Sequence, residues 1–106
     1  GRKELKKVKD VLSYIRENFY KKITLGDIAK SVLTDKYTLC KTFKNITGQT
    51  IFENINAYRC MMASEYIKEG KSVAEAGYLC GFENSSFFTK TFKKYKGVLP
   101  SKFKEK

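Results

Sequence analysis

The chain has 106 residues, 42% of them apolar, enough for one domain or two very small subdomains around a modest core. It carries 22 Lys and Arg against 11 Asp and Glu, and its net charge of +11 favours a polyanionic partner, either nucleic acid or an acidic membrane surface. No apolar run approaches the roughly 18 residues of a membrane span, no signal-peptide pattern opens the chain, and the absence of His excludes hydrolase triads that need it.

The three cysteines, Cys40, Cys60 and Cys80, argue against a metal site or a disulfide framework. They are odd in number, they form no Cys-x-x-Cys pair, and no His accompanies them. Reduced thiols on predicted helices fit a cytoplasmic protein. The chain has no glycine-rich phosphate loop and its acids are scattered. The sequence therefore predicts no enzyme, no cofactor and no metal.

The first half of the chain predicts three helices. An amphipathic helix over about residues 4–20 is indicated by apolar steps of three and four at Leu5, Val8, Leu12, Ile15 and Phe19. A capping box at Thr24-Leu-Gly-Asp27 begins a short helix with inward residues Leu25, Ile28, Ala29 and Val32. Asp35 caps the next helix, over about residues 36–46, whose predicted buried residues are Leu39, Phe43 and Ile46. A short helix, a tight turn and a second helix make a helix-turn-helix.

The second half predicts four more helices. Thr50-Ile-Phe-Glu53 is a second capping box, and it begins the longest helix, over about residues 51–69. Its predicted apolar stripe is Ile51, Ile55, Tyr58, Met62 and Tyr66, widened by Phe52, Ala63 and Ile67. Ser72 and Asn84 cap the next two helices, and a short last helix begins near Pro100. We expect an all-α fold of seven helices, in which a long linker helix (50–70) joins two helix-turn-helix subdomains (1–49 and 71–106).

An internal repeat supports the two subdomains. Lys41-Thr42-Phe43-Lys44 recurs as residues 90–93, 49 positions later, and the capping and glycine positions keep step. The turn Gly81-Phe82-Glu83 is one residue longer than its counterpart in the first unit. Gly77 stands where the first unit has Ala29, and its small size would let two helices approach closely, with Phe82, Phe87 or Tyr78 filling the space. Duplication in register favours DNA binding over a helical hairpin with a solvated lysine face.

The second helix of a helix-turn-helix lies in the DNA major groove, so its outward residues reach base edges and phosphates. These residues are Lys36, Tyr37, Cys40, Lys41 and Lys44 in the first unit, and Ser85, Ser86, Phe87, Thr89, Lys90 and Lys93 in the second. Lysines near the helix ends would hold phosphates: Lys36, Lys44, Lys93 and Lys94. A linker of about 19 residues spans roughly 28 Å, against about 34–36 Å between successive major-groove segments on one DNA face. One chain could therefore place two recognition helices in successive grooves.

These residues resemble the AraC/XylS family of bacterial transcription regulators, specifically its C-terminal DNA-binding domain. The resemblance covers about residues 5–104. Its most specific part is Gly81-Phe82, Ser86, Phe88, Lys90, Phe92-Lys93-Lys94, Gly97, Pro100 and Phe103. It implies seven helices, sequence-specific binding of double-stranded DNA near promoters, and RNA polymerase as a partner. By position, the base-reading residues of the family map onto Tyr37, Cys40 and Lys41, and onto Ser85, Ser86, Phe87, Thr89 and Lys90.

Departures from the family pattern shape the expected target. Lys41 and Lys90 stand where the family often has Arg, and Lys lacks the planar fork that contacts guanine bidentately. We therefore hypothesise A·T-rich targets, and the different outward residues of the two units predict an asymmetric site.

Two other readings stay open. A basic helical module could bind an acidic membrane or a protein partner. The chain could also be the DNA-binding part of a DNA-repair alkyltransferase fusion. The start at Gly1 rather than Met suggests part of a longer protein, and the resemblance allows an N-terminal effector or dimerisation domain absent from this chain.

Overall fold

A computed structural model describes residues 1–103, and the last three residues of the predicted second subdomain, 104–106, lie outside that range. Seven helices and no strand occur in the described part, as predicted. In chain order they are α1 (Arg2–Asn18), α2 (Leu25–Ser31), α3 (Lys36–Thr47), α4 (Ile51–Lys68), α5 (Val73–Leu79), α6 (Ser85–Lys96) and α7 (Pro100–Phe103). None of the described helices is both long and apolar enough to cross a membrane.

The chain forms two compact units, Gly1–Ile55 and Asn56–Lys106. Each unit contains one helix-turn-helix: α2 and α3 in the first, α5 and α6 in the second. The boundary between the units falls inside α4. The division into subdomains 1–49 and 71–106 with a separate linker at 50–70 stays a prediction.

The helix starts follow the predicted capping residues. The Thr24 hydroxyl accepts from the Asp27 amide at 3.1 Å, and the Ser72 hydroxyl accepts from the Glu75 amide at 3.1 Å. Around Thr50 both halves of the capping box are present: its hydroxyl accepts from the Glu53 amide at 3.1 Å, and its own amide donates to the Glu53 carboxylate at 2.8 Å. Such caps satisfy amides that have no partner within the helix.

The turns of the two helix-turn-helix motifs share one hydrogen-bonding pattern. After α2, the Leu33 amide donates to the Lys30 carbonyl and the Thr34 amide to the Ala29 carbonyl. After α5, the amides of Gly81 and Phe82 repeat this pattern. It is a Schellman motif, whose first residue beyond the helix takes a left-handed conformation. Gly81 has φ 93°, but Leu33 is a non-glycine residue at φ 58° with its side chain 88% exposed.

The core of the first unit differs in part from its predicted apolar stripe. Val8, Ile15 and Phe19 are buried as expected, but Val11 is fully buried whereas Leu5 is 47% exposed. The prediction that Ile46 is buried was also wrong, since it is 44% exposed on the last turn of α3. The centre of a stripe depends on which neighbour the helix packs against, here α3 for α1.

The buried residues of α4 also depart from the predicted stripe. Tyr58, Met62 and Tyr66 are only half-buried and Phe52 is 44% exposed. The buried residues are Ile51, Ile55, Cys60, Ala63, Ser64 and Ile67. A single stripe of constant period failed because the buried side of α4 changes along its length, where the helix passes from one unit to the next.

Gly77 makes the close approach that its size allows. A Cβ placed on Gly77 would lie 2.7 Å from Cδ2 of Phe88, so α5 and α6 meet at a distance that a methyl group would prevent. Phe82 packs beside Phe88, with ring centroids 4.8 Å apart. Tyr78 does not fill this space, because it points away from the core and is 78% exposed.

Candidate nucleic-acid interface

The outward face of α3 is set by its cap and its two buried anchors. Asp35 accepts from the Thr38 amide at 2.8 Å and from the Thr38 hydroxyl at 2.8 Å. These two bonds, chiefly the amide one, hold the pKa of Asp35 below its ordinary value of 3.8. Leu39 and Phe43 are buried at 2% and 1% exposure. Because residues on one helix face recur every three to four positions, the remaining side chains must point outward.

Every residue predicted for α3 lies on this outward side. Tyr37 is 75% exposed, Lys36, Lys41 and Lys44 are exposed, and Cys40 is half-buried. The Lys41 Nζ lies 6.0 Å from the centroid of the Tyr37 ring, within range of a cation–π contact. A shallow hollow on the flank of α3 brings the predicted set together with Thr50, at the start of α4. These groups therefore form one continuous surface.

The sequence-based assignment omitted Asn45. It is exposed and lines a second hollow beside α3, of about 380 Å³, together with Tyr37 and Lys41. The internal repeat could have identified it, because a separation of 49 positions pairs Asn45 with Lys94. An amide at this position can donate and accept hydrogen bonds, whereas a lysine can only donate.

The outward face of α6 is built in the same way. The Asn84 side chain accepts from the Phe87 amide at 2.8 Å and starts the helix, while Phe88 and Phe92 anchor it at 2% and 0% exposure. Six predicted residues are exposed on the outer side: Ser85, Ser86, Phe87, Lys90, Lys93 and Lys94. The matched anchors give α3 and α6 equivalent outward faces with different side chains.

Thr89 is half-buried, and its hydroxyl is already engaged. The hydroxyl donates to the backbone carbonyl of Ser85 at 2.9 Å, within the helix. A hydroxyl has one hydrogen to donate, so Thr89 can offer a base only its methyl group and an acceptor lone pair. This limits the contacts that were predicted for it.

Phe87 is 49% exposed, yet its ring is supported from behind. The ring lies beside the buried ring of Phe82, with centroids 6.1 Å apart, and Phe82 in turn packs on Phe88. The sequence analysis offered Phe87 both as an outward residue and as one that could fill the space beside Gly77. In the structure Phe87 is half exposed, and its ring lies beside Phe82 in a contact that joins the turn to the helix.

The lysines of both outward faces are electrostatically available. Within the described part of the chain, no ion pair engages the six lysines assigned to DNA: Lys36, Lys41, Lys44, Lys90, Lys93 and Lys94. Acidic residues on these two helices are absent over their full lengths. Each face therefore presents uncompensated positive charge, which suits a polyanion.

The buried cysteines belong to the scaffold. Cys60 and Cys80 are fully buried, and burial raises the pKa of each thiol to about 12. Such thiols stay protonated at neutral pH and react poorly. Among residues 1–103, no group of three His, Cys, Asp or Glu side chains converges as a metal site would require.

Arg59 lies near Cys80 and Glu83 in the second unit. Partial burial is the main reason that the pKa of its guanidinium lies below its ordinary value, and the two neighbours act in the opposite direction. An arginine, whose ordinary pKa is high, stays charged at neutral pH. Its position within α4, away from the outward faces of α3 and α6, indicates a structural role.

Comparison with known proteins finds similarity to helix-turn-helix transcriptional regulators. The family model of a helix-turn-helix domain matches residues 28–106. An uncharacterised helix-turn-helix transcriptional regulator of Pseudoalteromonas carrageenovora is 35% identical over 97 residues, which are 92% of this chain and 58% of that protein. A bifunctional transcriptional activator and DNA repair enzyme, AdaA of Bacillus subtilis, is 32% identical over 96 residues, 90% of this chain and 46% of that protein.

Among solved structures, a transcriptional regulator from Chromobacterium violaceum, described as an AraC-type DNA-binding domain-containing protein, superposes with a TM-score of 0.90 at 21% identity. The match covers 99% of this chain and 95% of that one. At this sequence identity, the similarity shows a shared fold. The chain spans about half the length of the curated relatives. The match to AdaA is therefore a match to part of that protein.

Proposed function

Because the chain belongs to the AraC/XylS family of transcription regulators, we propose that it binds double-stranded DNA sequence-specifically, using α3 and α6 as its recognition helices. Each helix enters a major groove, and the two contact neighbouring groove segments near a promoter. The two outward faces carry different side chains, so the target is asymmetric.

The division of labour follows from the chemistry of each side chain. Lys36, Lys44, Lys93 and Lys94 bind phosphates, since a lysine ammonium is a point charge that tolerates many geometries. The base-reading set occupies the rest of the two outward faces: Tyr37, Cys40, Lys41, Ser85, Ser86, Phe87, Thr89 and Lys90. A lysine reads guanine less selectively than an arginine fork would, so we expect A·T-rich targets.

One observation carries this proposal: the chain builds the same capped helix twice. The side chains of Asp35 and Asn84 cap α3 and α6 in the same way, by accepting a hydrogen bond from the amide three residues later. The buried anchors are Leu39 and Phe43 in α3, and Phe88 and Phe92 in α6. A duplicated scaffold that leaves two lysine-rich faces unpaired is what binding to two segments of a regular polyanion requires.

The wider role follows from the family. We expect RNA polymerase as a partner and the bacterial cytoplasm as the location, because that is where promoter DNA lies. Curated relatives are about twice as long, which supports an additional effector or dimerisation domain in the whole protein. The match to AdaA covers 46% of that protein. We therefore do not assign repair chemistry to this chain.

Selection of bound sequences from random duplex DNA at physiological salt tests the proposal. We expect a preferred, asymmetric and A·T-rich sequence. Equal affinity for selected and random duplexes at every salt concentration would contradict sequence-specific binding. Guanine-rich selected sites would contradict the A·T preference alone.

Single variants then separate base reading from phosphate attraction. Lys41→Ala and Lys90→Ala should relax the preference at particular positions, each by about 1–3 kcal/mol. Lys9→Ala, on the exposed side of α1, is the matched control for charge and should leave the preference unchanged. A uniform loss at all positions would assign Lys41 and Lys90 to phosphates instead.

The competing function is a basic module that binds an acidic membrane or protein surface. Vesicles containing anionic lipid provide the test, with neutral vesicles as the control. Binding to anionic vesicles without measurable affinity for any duplex would replace the DNA-binding proposal.

A further inference from the structure

We propose that Phe87 reads the 5-methyl group of a thymine, and that Phe82 is the positioning residue that holds its ring in place. The inference rests on the proposed function, because it concerns the DNA contacted by α6. It assigns one base-reading residue a single chemical feature of the target.

The first step is the support beneath Phe87. Since Gly77 has no Cβ, the Phe88 ring lies directly against α5, where an added methyl group would come within 2.7 Å of it. Phe82 packs on that ring at 4.8 Å between centroids and is itself 7% exposed. Phe87 then lies on Phe82 at 6.1 Å. Phe87 is thus the outermost ring of a cluster of tilted aromatic rings that begins in the core.

The second step is the chemistry of an exposed phenyl ring. The Phe87 side chain has no hydrogen-bond donor or acceptor, so it cannot form hydrogen bonds with base edges. Among the groups that the four base pairs present in the major groove, the thymine methyl group is the apolar one. A ring that is 49% exposed has surface left to cover such a group, and burial of a methyl group favours binding.

The third step is the contrast with the first unit. The counterpart of Phe87, 49 positions earlier, is Thr38, whose hydroxyl donates to Asp35 as part of the helix cap. The counterparts of Gly77 and Phe88 are Ala29 and Leu39. The outward face of α3 therefore lacks both the aromatic cluster and the phenyl ring. Its exposed aromatic residue is Tyr37, whose hydroxyl can hydrogen-bond. We expect methyl reading by a phenyl ring only in the segment bound by α6.

Uracil substitution tests the assignment without altering a hydrogen bond, because uracil is thymine without the 5-methyl group. The probe is the duplex obtained by selection. The segment bound by α6 is the one where Lys90→Ala relaxes the preference. Each thymine in that segment is replaced in turn by uracil. We expect one replacement to lower affinity by about fourfold, the equivalent of one buried methyl group.

Protein variants then locate the contact. In Phe87→Ala the penalty for that uracil should disappear, and in Phe82→Leu it should shrink, because the ring loses its support. Phe87→Leu keeps an apolar side chain and should retain part of the penalty, which makes it the matched control and a second variant if Phe87→Ala folds poorly. Thr89→Ser removes the one side-chain methyl group among the residues of α6 assigned to base reading, and it should leave the penalty unchanged. Circular dichroism establishes that each variant is folded.

The outcomes separate the two proposals. If no duplex is preferred over random DNA, sequence-specific binding fails and the thymine assignment fails with it. If a preferred duplex exists but no uracil lowers affinity, or Phe87→Ala keeps the full penalty, only the thymine assignment is overturned. A penalty that disappears in Thr89→Ser assigns the methyl contact to Thr89 and also overturns it.

Discussion

At the residue scale, Gly77 and Phe88 form a size-matched pair. The equivalent positions in the first unit hold Ala29 and Leu39, a larger helix residue and a smaller anchor, and both are buried. Compared with the first unit, the second unit lacks a methyl group on α5 and has a phenyl ring in place of a leucine side chain on α6. Glycine inside a helix costs about 1 kcal/mol relative to alanine, and the closer packing of the ring offsets this cost.

Gly77→Ala tests the pair. The new Cβ would lie 2.7 Å from the Phe88 ring, and we expect a loss of about 1–3 kcal/mol in the free energy of unfolding, despite the better helix propensity of alanine. Urea denaturation measures the change. The double variant Gly77→Ala/Phe88→Leu recreates the first unit's pair and should recover part of the loss. Additive losses in the double variant would contradict the pairing.

Leu33 is a second residue whose conformation is set by its position. It holds a left-handed backbone conformation at φ 58°, where its equivalent in the second unit is Gly81 at φ 93°. An L-residue other than glycine pays about 1–2 kcal/mol in this conformation. The Leu33 side chain is almost fully exposed, so it recovers little by burial.

Exchanging the two turn residues measures this strain. Leu33→Gly should raise the free energy of unfolding by up to about 1 kcal/mol, because the relieved strain exceeds the added entropy of an unfolded glycine. Gly81→Leu should lower it by a similar amount. Thermal denaturation of both variants is the measurement, and stabilisation by Gly81→Leu would exclude backbone strain as the cause.

At the scale of the element, the two recognition helices differ in their capping residue. Asp35 starts α3 with a charged acceptor, and Asn84 starts α6 with a neutral one. Both satisfy an amide at the first turn, but only the carboxylate titrates. The start of α3 should therefore depend on pH, and the start of α6 should not.

Asp35→Asn isolates this dependence, because asparagine is an equally good cap without a charge. The pKa of Asp35 is lowered in the folded state, so its stabilising contribution is present above the ordinary value of 3.8 and is lost as pH falls below it. The melting temperature of the wild type should therefore approach that of Asp35→Asn below about pH 3.8. A constant difference between pH 7 and pH 2 would contradict the role of the carboxylate.

At the scale of the whole molecule, charge dominates. A net charge of +11 on 106 residues predicts strong attraction to any polyanion, and attraction alone does not select a sequence. Selectivity has to come from the outward residues assigned to base reading, which include Lys41 and Lys90. Salt dependence separates the two contributions, since phosphate contacts release counterions when they form.

Lys44→Ala and Lys93→Ala test the phosphate assignment. Each variant should lower the slope of log affinity against log salt by about 0.9, and the double variant by twice that amount. The loss should be equal for selected and random duplexes, and Lys9→Ala should change the slope by less. Fluorescence anisotropy at several salt concentrations provides the measurement. A sequence-dependent loss would show that Lys44 or Lys93 contacts bases.

The amino-acid sequence by itself determined the seven helices, their capping residues and the in-register repeat. Caps and turns depend on residues within four positions of each other, so Asp35, Thr50 and Asn84 could be identified without a structure. The sequence also indicated the outward faces, because helical periodicity relates them to Phe43 and Phe92.

Only the tertiary structure decided which apolar residues form the core and which polar groups are already engaged. Val11 and Cys60 are buried and Leu5 and Ile46 are exposed because the packing partner, not the period, sets the centre of each stripe. The bond between Thr89 and Ser85 depends on a rotamer, and the aromatic cluster beneath Phe87 joins a turn to a helix. Contacts of this kind depend on three-dimensional placement, which periodicity does not encode.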